Sequence, residues 1–489
     1  MPAVRSRYAV RVLATLVFFT LLAGQFWRNL LGWWGYGALA VIIATGCIVA
    51  LATLKPDWMW RSVPKSLVGF VGIIVLSLAW SFYPGASAIG IALQLITTTA
   101  ALFIALILTW TELLRTLGAA LRWLLGLSLL FELIVAVVVR HAVLPFWVDY
   151  GTDKIPAAFY WSRGLLFSGG PIEGIVANRN LLGFAALLAV IVFAVQLRAR
   201  TVKGGWGIAW LVLACVTLVL TRSATVTIAG LVVLVVLLFA LWTRRVGPTR
   251  RRPVYLTAAA LAVVGSIASV TLSPLLLTLF GKSDDLTGRF DIWTSVTHLA
   301  SERPLFGWGW VSYWAPWVEP FRDLAVRRGV TYLQAHNAWL DVWLQVGLIG
   351  LLLFAALVFS TLWRSWFLAV DAPLVATALT SAPTPASPPT SPPTSPTTQA
   401  DTTLAAASTA LSRAAGAQPL ADPAPDGKQT VPYLPGPFPA SAMLPLLIVA
   451  ALIAQSVAES RLLIESGWVL LVVLAMATKR QQRSAARMP

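Results

Sequence analysis

Apolar runs of about 20 residues recur along the whole chain, separated by short polar connections. About 20 residues is the length one α-helix needs to cross the hydrocarbon core of a bilayer. A helix also satisfies its own backbone hydrogen bonds there. Runs this long do not fit the short alternating strands of outer-membrane barrels. The pattern predicts twelve spans, over residues 8–27, 31–54, 66–83, 87–110, 119–139, 180–197, 205–221, 225–243, 254–280, 337–362, 441–457 and 462–478. The expected fold is all-α: a polytopic integral membrane protein of about twelve transmembrane helices, with a large external loop containing short helices.

Longer polar stretches divide this pattern. Residues 1–370 form the expected transmembrane core, including external loops 140–179 and 281–336. Residues 371–440 are rich in Pro, Ser, Thr and Ala and cannot bury a core, so a disordered cytoplasmic linker is expected there. Residues 441–489 hold the last two helices and a basic cytoplasmic tail.

Composition agrees with a membrane protein. The chain is 58% hydrophobic and only 11% charged, against roughly 25% charged in a soluble globule. The formal net charge of +17 does not imply a nucleic-acid partner, because the basic residues fall in short loops between apolar runs. Such a placement is an orientation signal. With the N-terminus in the cytoplasm, alternating spans leave every short cytoplasmic loop basic, and the C-terminus is also cytoplasmic. The chain is therefore expected in the cell (inner, cytoplasmic) membrane, in contact with membrane lipids. Arg5, Arg7 and Arg11 before the first apolar run resemble a signal peptide. No small-residue cleavage site follows, and a retained first helix is expected. Cys47 and Cys215 both lie in apolar runs and frame no disulfide or metal site.

On this topology several polar residues gather on the outer side, where an ionisable group in or beside a span tends to be functional. In D-D-L-T-G-R-F-D-I-W, Thr287 is placed to cap a short helix that Pro304 ends, with Arg289, Trp293 and Val296 on one face. In Q-A-H-N-A-W-L-D, His336 stands at the outer mouth of a span, beside Asn337. His336, Leu340, Trp343 and Gly347 share a stripe, and Gly347 allows close packing. A histidine there can act as a base near neutral pH; the alternative is an interfacial histidine bonded to a loop. Arg222, in T-R-S-A-T, can hold a phosphate bidentately or snorkel to lipid headgroups. Arg179 and Asn180, in A-N-R-N, sit just before another span. Three arginines and one base on the same side suit an anionic diphosphate substrate and a hydroxyl to be deprotonated. External tryptophans such as Trp308, Trp310 and Trp339 serve equally as interfacial anchors or as platforms for sugars. The sequence has no P-loop, no nucleotide-binding glycine fingerprint and no H-E-x-x-H or cysteine cluster. Neither cofactor nor metal is expected.

Four segments, in order, resemble the O-antigen ligase family and its polymerase relatives: G-R-F-D-I-W at 288–293, P-L-F-G-W-G at 304–309, H-N-A-W-L at 336–340 and G-L-I-G at 347–350. The likeness extends to the span layout, outside 371–440. It implies a metal-independent glycosyltransferase that moves a glycan from an undecaprenyl-diphosphate carrier to an acceptor hydroxyl on the outer face. It also implies that His336 is the catalytic base and Arg289 the essential loop arginine. Arg222 is similar to an arginine after an earlier span, although the basic residue stands two positions from its place in many relatives. Asn180 matches an asparagine at its span's start, and Gln345 stands where many relatives have Glu. The runner-up reading is a polysaccharide or lipid transporter such as a flippase, which would place charged residues near mid-span in broken helices. A catalytically inactive scaffold is the third. The acceptor, whether lipid core, growing polysaccharide, protein or cell-wall polymer, is not specified.

Overall fold

The computed structural model describes residues 2–56, 58–148, 155–271, 283–327, 330–376 and 433–485. Each predicted span corresponds to a helix: α1 Pro2–Leu22, α2 Gly24–Leu54, α3 Lys65–Leu76, α4 Pro84–Ile107, α5 Trp110–Ile134, α6 Arg179–Arg198, α7 Gly204–Leu220, α8 Ala224–Val246 and α9 Arg252–Thr271. After α10, Ser283–Glu302, come α11 Ala338–Val370, α12 Leu444–Ser456 and α13 Glu465–Ala485. Six of these helices are long and apolar enough to cross a membrane unaided, and four more are shorter apolar helices. The protein is an all-α multi-pass membrane protein. Strands among the described residues are short pairs only, such as β1 Val326–Arg327 with β2 Val330–Thr331.

Local chemistry sets the helix starts. Thr109 and Glu112 form a reciprocal capping box on α5, and Asn178, Ser223 and Asn337 cap α6, α8 and α11. The start of α10 differs from expectation. The helix begins at Ser283, so Thr287 lies inside it rather than capping it. Ser283, Asp284 and Asp285 precede Thr287 and are residue types that favour a helix N-terminus, which moves the boundary earlier. The end does fall at Glu302, just before Pro304.

The main core gathers Trp468 of α13, Phe70 of α3 and Phe354 of α11, with Phe70 5.7 Å from Trp468 and 5.2 Å from Phe354, ring centre to ring centre. A smaller cluster forms where Ile292, Val296 and Leu299 of α10 pack against Trp314, Phe321 and Leu344. It fixes α10 beside the start of α11. Loop 140–179 is tied down by the buried carboxylate of Glu132 on α5, which accepts from Ser162 Oγ (2.8 Å) and from the backbone N–H groups of Glu173 (2.9 Å) and Gly174 (2.7 Å). Three donors satisfy carboxyl oxygens that would otherwise be costly to bury.

α11 is not the continuous span that the apolar run suggested. Gly347 interrupts it at φ +66°. A break in a helix frees backbone groups that lipid cannot satisfy, and here the P-L-F-G-W-G segment supplies the partners. Leu348 N–H donates to Pro304 O (2.8 Å) and Ile349 N–H to Leu305 O (3.3 Å), while Trp308 N–H donates to Leu344 O (3.0 Å) and Gly309 N–H to Gln345 O (2.9 Å). Gln345, fully buried, accepts from Val311 N–H (2.9 Å) and Ser312 N–H (3.1 Å) through its side chain. The stripe from His336 to Gly347 is therefore a short helical segment clamped by the 304–309 loop.

A second compact unit spans residues 372–437. Its described ends pair antiparallel, β3 Leu374–Ala376 against β4 Tyr433–Pro435. Residues 377–432, most of the expected linker, lie outside the described residues.

Candidate active site

Three of the residues expected to carry chemistry, Asn180, Arg289 and His336, meet at the loop 457–464 between α12 and α13. Its central side chain is one that the sequence reading passed over, Glu459. The Glu459 carboxylate is 6% exposed and accepts on both oxygens. On Oε1 it meets Arg289 Nη2 at 3.3 Å and Asn180 Nδ2 at 3.2 Å. On Oε2 it meets His336 Nδ1 at 2.9 Å and Gln334 Nε2 at 3.2 Å. α6, α10, the 331–337 segment and the α12–α13 loop thus contribute one side chain or more each to a single cluster. Arg289 and His336 are themselves 14% and 16% exposed.

The electrostatics follow from this arrangement. Burial by itself raises a carboxyl pKa, but at Glu459 the adjoining His336, then Arg289 and Arg461, reverse the effect and hold it at about 2. Glu459 is therefore ionised at neutral pH. Arg461, two residues on, is turned elsewhere: it pairs with Glu465 at 2.7 Å and donates to Tyr313 Oη.

The backbone around the site is held from below. Asp341, buried in the first turn of α11, accepts from the Ala335 N–H at 3.0 Å and from the Ser460 hydroxyl. One carboxylate thereby ties the residue before His336 to the residue after Glu459. Trp293 Nε1 donates to Ala335 O at 3.0 Å, closing the same segment against α10. Asn337 Oδ1 accepts from the backbone N–H groups of Trp339 (3.0 Å) and Leu340 (3.3 Å). Between these anchors His336 adopts φ +50°, a left-handed conformation that non-glycine residues seldom hold without such support.

The other predicted residues divide. Asn180 is within the cluster and also accepts from Ser223 Oγ at 2.7 Å. Arg289 Nη1 donates to Thr225 Oγ1 at 3.5 Å. In T-R-S-A-T the residues that join the cluster are thus Ser223 and Thr225. Arg222 is exposed, in the turn between α7 and α8 at φ +47°. Arg179 is half-buried in the first turn of α6, next to Asn180.

Residues 208–355 match the family model described as O-antigen ligase. Over that segment the chain is similar to the O-antigen ligase family. The exopolysaccharide production protein ExoQ of Rhizobium meliloti (strain 1021) is 30% identical over 196 residues, which cover 37% of this chain and 43% of that protein. The chain thus spans less than half the length of this curated relative. The O-antigen ligase match contains Ser223, Thr225, Arg289, His336 and Asp341, but neither Asn180 nor Glu459. The cluster is completed by residues on both sides of the matched segment.

A signal for Glu459 does exist in the sequence. It is a carboxylate in a four-residue turn between two apolar runs, A-E-S-R at 458–461, on the side the charge pattern assigns to the outside. The rule that singled out Arg222 applies equally there.

Proposed function

We propose that this protein is a metal-independent membrane glycosyltransferase that moves a glycan from an undecaprenyl-diphosphate carrier to an acceptor hydroxyl on the outer face of the cytoplasmic membrane, with both termini in the cytoplasm. The observation that carries the reading is the convergence of His336 and Arg289 on one buried carboxylate. A base and a cation are thereby held side by side.

In the proposed reaction His336 takes the proton of the acceptor hydroxyl as its oxygen bonds to the anomeric carbon. The bond from that carbon to the diphosphate oxygen breaks, and the lipid diphosphate leaves with the electron pair. Arg289 stabilises the charge that develops on it. In this reading Arg222 and Arg179, on the α7–α8 turn and the start of α6, contact the rest of the diphosphate. A single displacement inverts the configuration at the anomeric carbon. The helix breaks at Gly32 and Gly347 would suit a transporter if the freed groups faced a substrate. At Gly347 they are taken up by residues 304–309.

Purified protein in lipid nanodiscs, given an undecaprenyl-diphosphate-linked oligosaccharide and candidate acceptors, is expected to form an inverted glycoside and release the lipid diphosphate. Movement of the intact donor across sealed vesicles without any transfer would favour the transporter instead. Within the same assay, Arg289→Lys is expected to lower transfer roughly 10–100-fold. It keeps the charge, but one ammonium cannot reproduce the planar fork that spans Glu459, Thr225 and a phosphate.

A further inference from the structure

We infer that Glu459 is the positioning residue of this transfer: its carboxylate accepts the Nδ1 proton of His336, leaving Nε2 as the proton acceptor, and its second oxygen holds Arg289 alongside. The inference rests on the proposed role of His336 and adds a residue from outside the segment that matches the O-antigen ligase family.

Hydrogen-bond inventory decides the tautomer. An ionised carboxylate can only accept, so the 2.9 Å contact requires the proton on Nδ1 of the ring. In the neutral imidazole the lone pair is then on Nε2. The competing donor is Gln334 Nε2, 3.4 Å from Nδ1 but 3.2 Å from Glu459 Oε2. The charged oxygen is both the nearer and the stronger acceptor for that amide, and Nδ1 is left to donate. Tyr332 meets the imidazole edge-on with ring centres 5.3 Å apart, and restricts its rotation. The charged groups facing Glu459 are His336, Arg289 of α10 and, further off, Arg461.

The pairing also times the charge. With His336 neutral, Arg289 and Glu459 cancel. When His336 accepts the hydroxyl proton, the trio gains one positive charge. That gain coincides with the negative charge appearing on the departing diphosphate. An interaction that strengthens only as the reaction proceeds lowers the barrier without tightening substrate binding.

Glu459→Gln separates this role from a merely structural one. Arg289 and Asn180 present only donor nitrogens to Oε1, so the amide oxygen of a glutamine must face them. Its NH2 group then faces His336, donates to Nδ1 and drives the ring proton to Nε2, where it blocks the base. The chain has three histidines, so 15N spectra of histidine-labelled protein are simple, and His336 is assigned by its loss in His336→Asn. Wild type is expected to show His336 protonated on Nδ1, and Glu459→Gln to show it protonated on Nε2. Transfer by Glu459→Gln is expected to fall about 10³–10⁴-fold, as in other sites where the wrong histidine tautomer is imposed, with KM for the lipid-linked donor within about threefold. Glu459→Asp should recover part of the rate and the Nδ1 signal. A wild-type His336 protonated on Nε2, or wild-type turnover in Glu459→Gln, overturns the inference. If Glu459→Gln fails to fold, the wild-type tautomer alone decides. Wild-type protein with the expected tautomer but no transfer would refute the glycosyl-transfer reading and leave the His336–Glu459 arrangement standing.

Discussion

Replacing His336 with alanine is expected to lower glycan transfer by about 10²–10⁴-fold while the affinity for the lipid-linked donor changes little. The expectation comes from how the cluster divides its work. His336 is the base that faces the incoming hydroxyl. Arg289 meets the leaving group, and its anchors on Glu459 at 3.3 Å and Thr225 at 3.5 Å do not pass through the imidazole. Removing the ring therefore takes away proton acceptance and leaves diphosphate recognition. Glu459 retains Arg289, Asn180 and Gln334 as partners, so its charge stays compensated. The main risk to the site is the backbone, since residue 336 holds φ +50°. Alanine tolerates that conformation no better than histidine, but the Asp341–Ala335, Trp293–Ala335 and Asn337 contacts that enforce it all remain. The measurement is a pair: single-turnover transfer under saturating donor, and donor binding by the same protein. Transfer at the wild-type rate would remove His336 from the reaction. Loss of binding in step with turnover would instead make His336 a ligand for the donor.

The sequence showed the helices clearly because crossing a bilayer demands long apolar runs, and each such run coincides with a helix, six of them long and apolar enough to cross unaided. It also showed which loops carry the polar groups, and it placed Arg289 and His336 on one side. It did not show what joins them. Glu459 is 123 positions from His336 along the chain, beyond the Pro-rich stretch 371–440, and no periodicity or spacing relates such positions. The T-R-S-A-T segment shows a subtler failure. Charge drew the eye to Arg222, yet the turn places that residue outward at φ +47°. The inward positions fall to Ser223 and Thr225, whose hydroxyls are small enough to pack against Asn180 and Arg289. Asn337 was legible as part of the H-N pair, but the hydrogen bonds it makes are those of a helix cap.

Gly347→Ala is expected to cause a large loss of folded protein. The backbone there has φ +66°, and a Cβ would stand 2.2 Å from both the carbonyl carbon and oxygen of Leu305 and 2.4 Å from the Phe306 nitrogen. None of these atoms belongs to a flexible side chain. They are held by the four backbone bonds that link residues 304–309 to residues 344–349. Relieving the overlap requires either moving the loop off the helix or straightening α11 through the break. Both options leave backbone groups unpaired, and in a membrane these cannot turn to water. A left-handed conformation without glycine costs about 1–3 kcal/mol, and forcing a group into packed space costs about 1–3 kcal/mol more. Together these are a large part of the stability of a typical domain. The damage extends to the active site, because the first half of α11 carries Asp341 and follows directly on His336. The comparison that isolates the effect is Gly72→Ala on α3, where an added Cβ meets nothing within 4 Å. In matched detergent preparations Gly72→Ala should match wild type in folded yield and thermal midpoint, and Gly347→Ala should fall far below both. Equal behaviour of the two variants would mean that the clamp between P-L-F-G-W-G and the broken helix does not hold His336 in place.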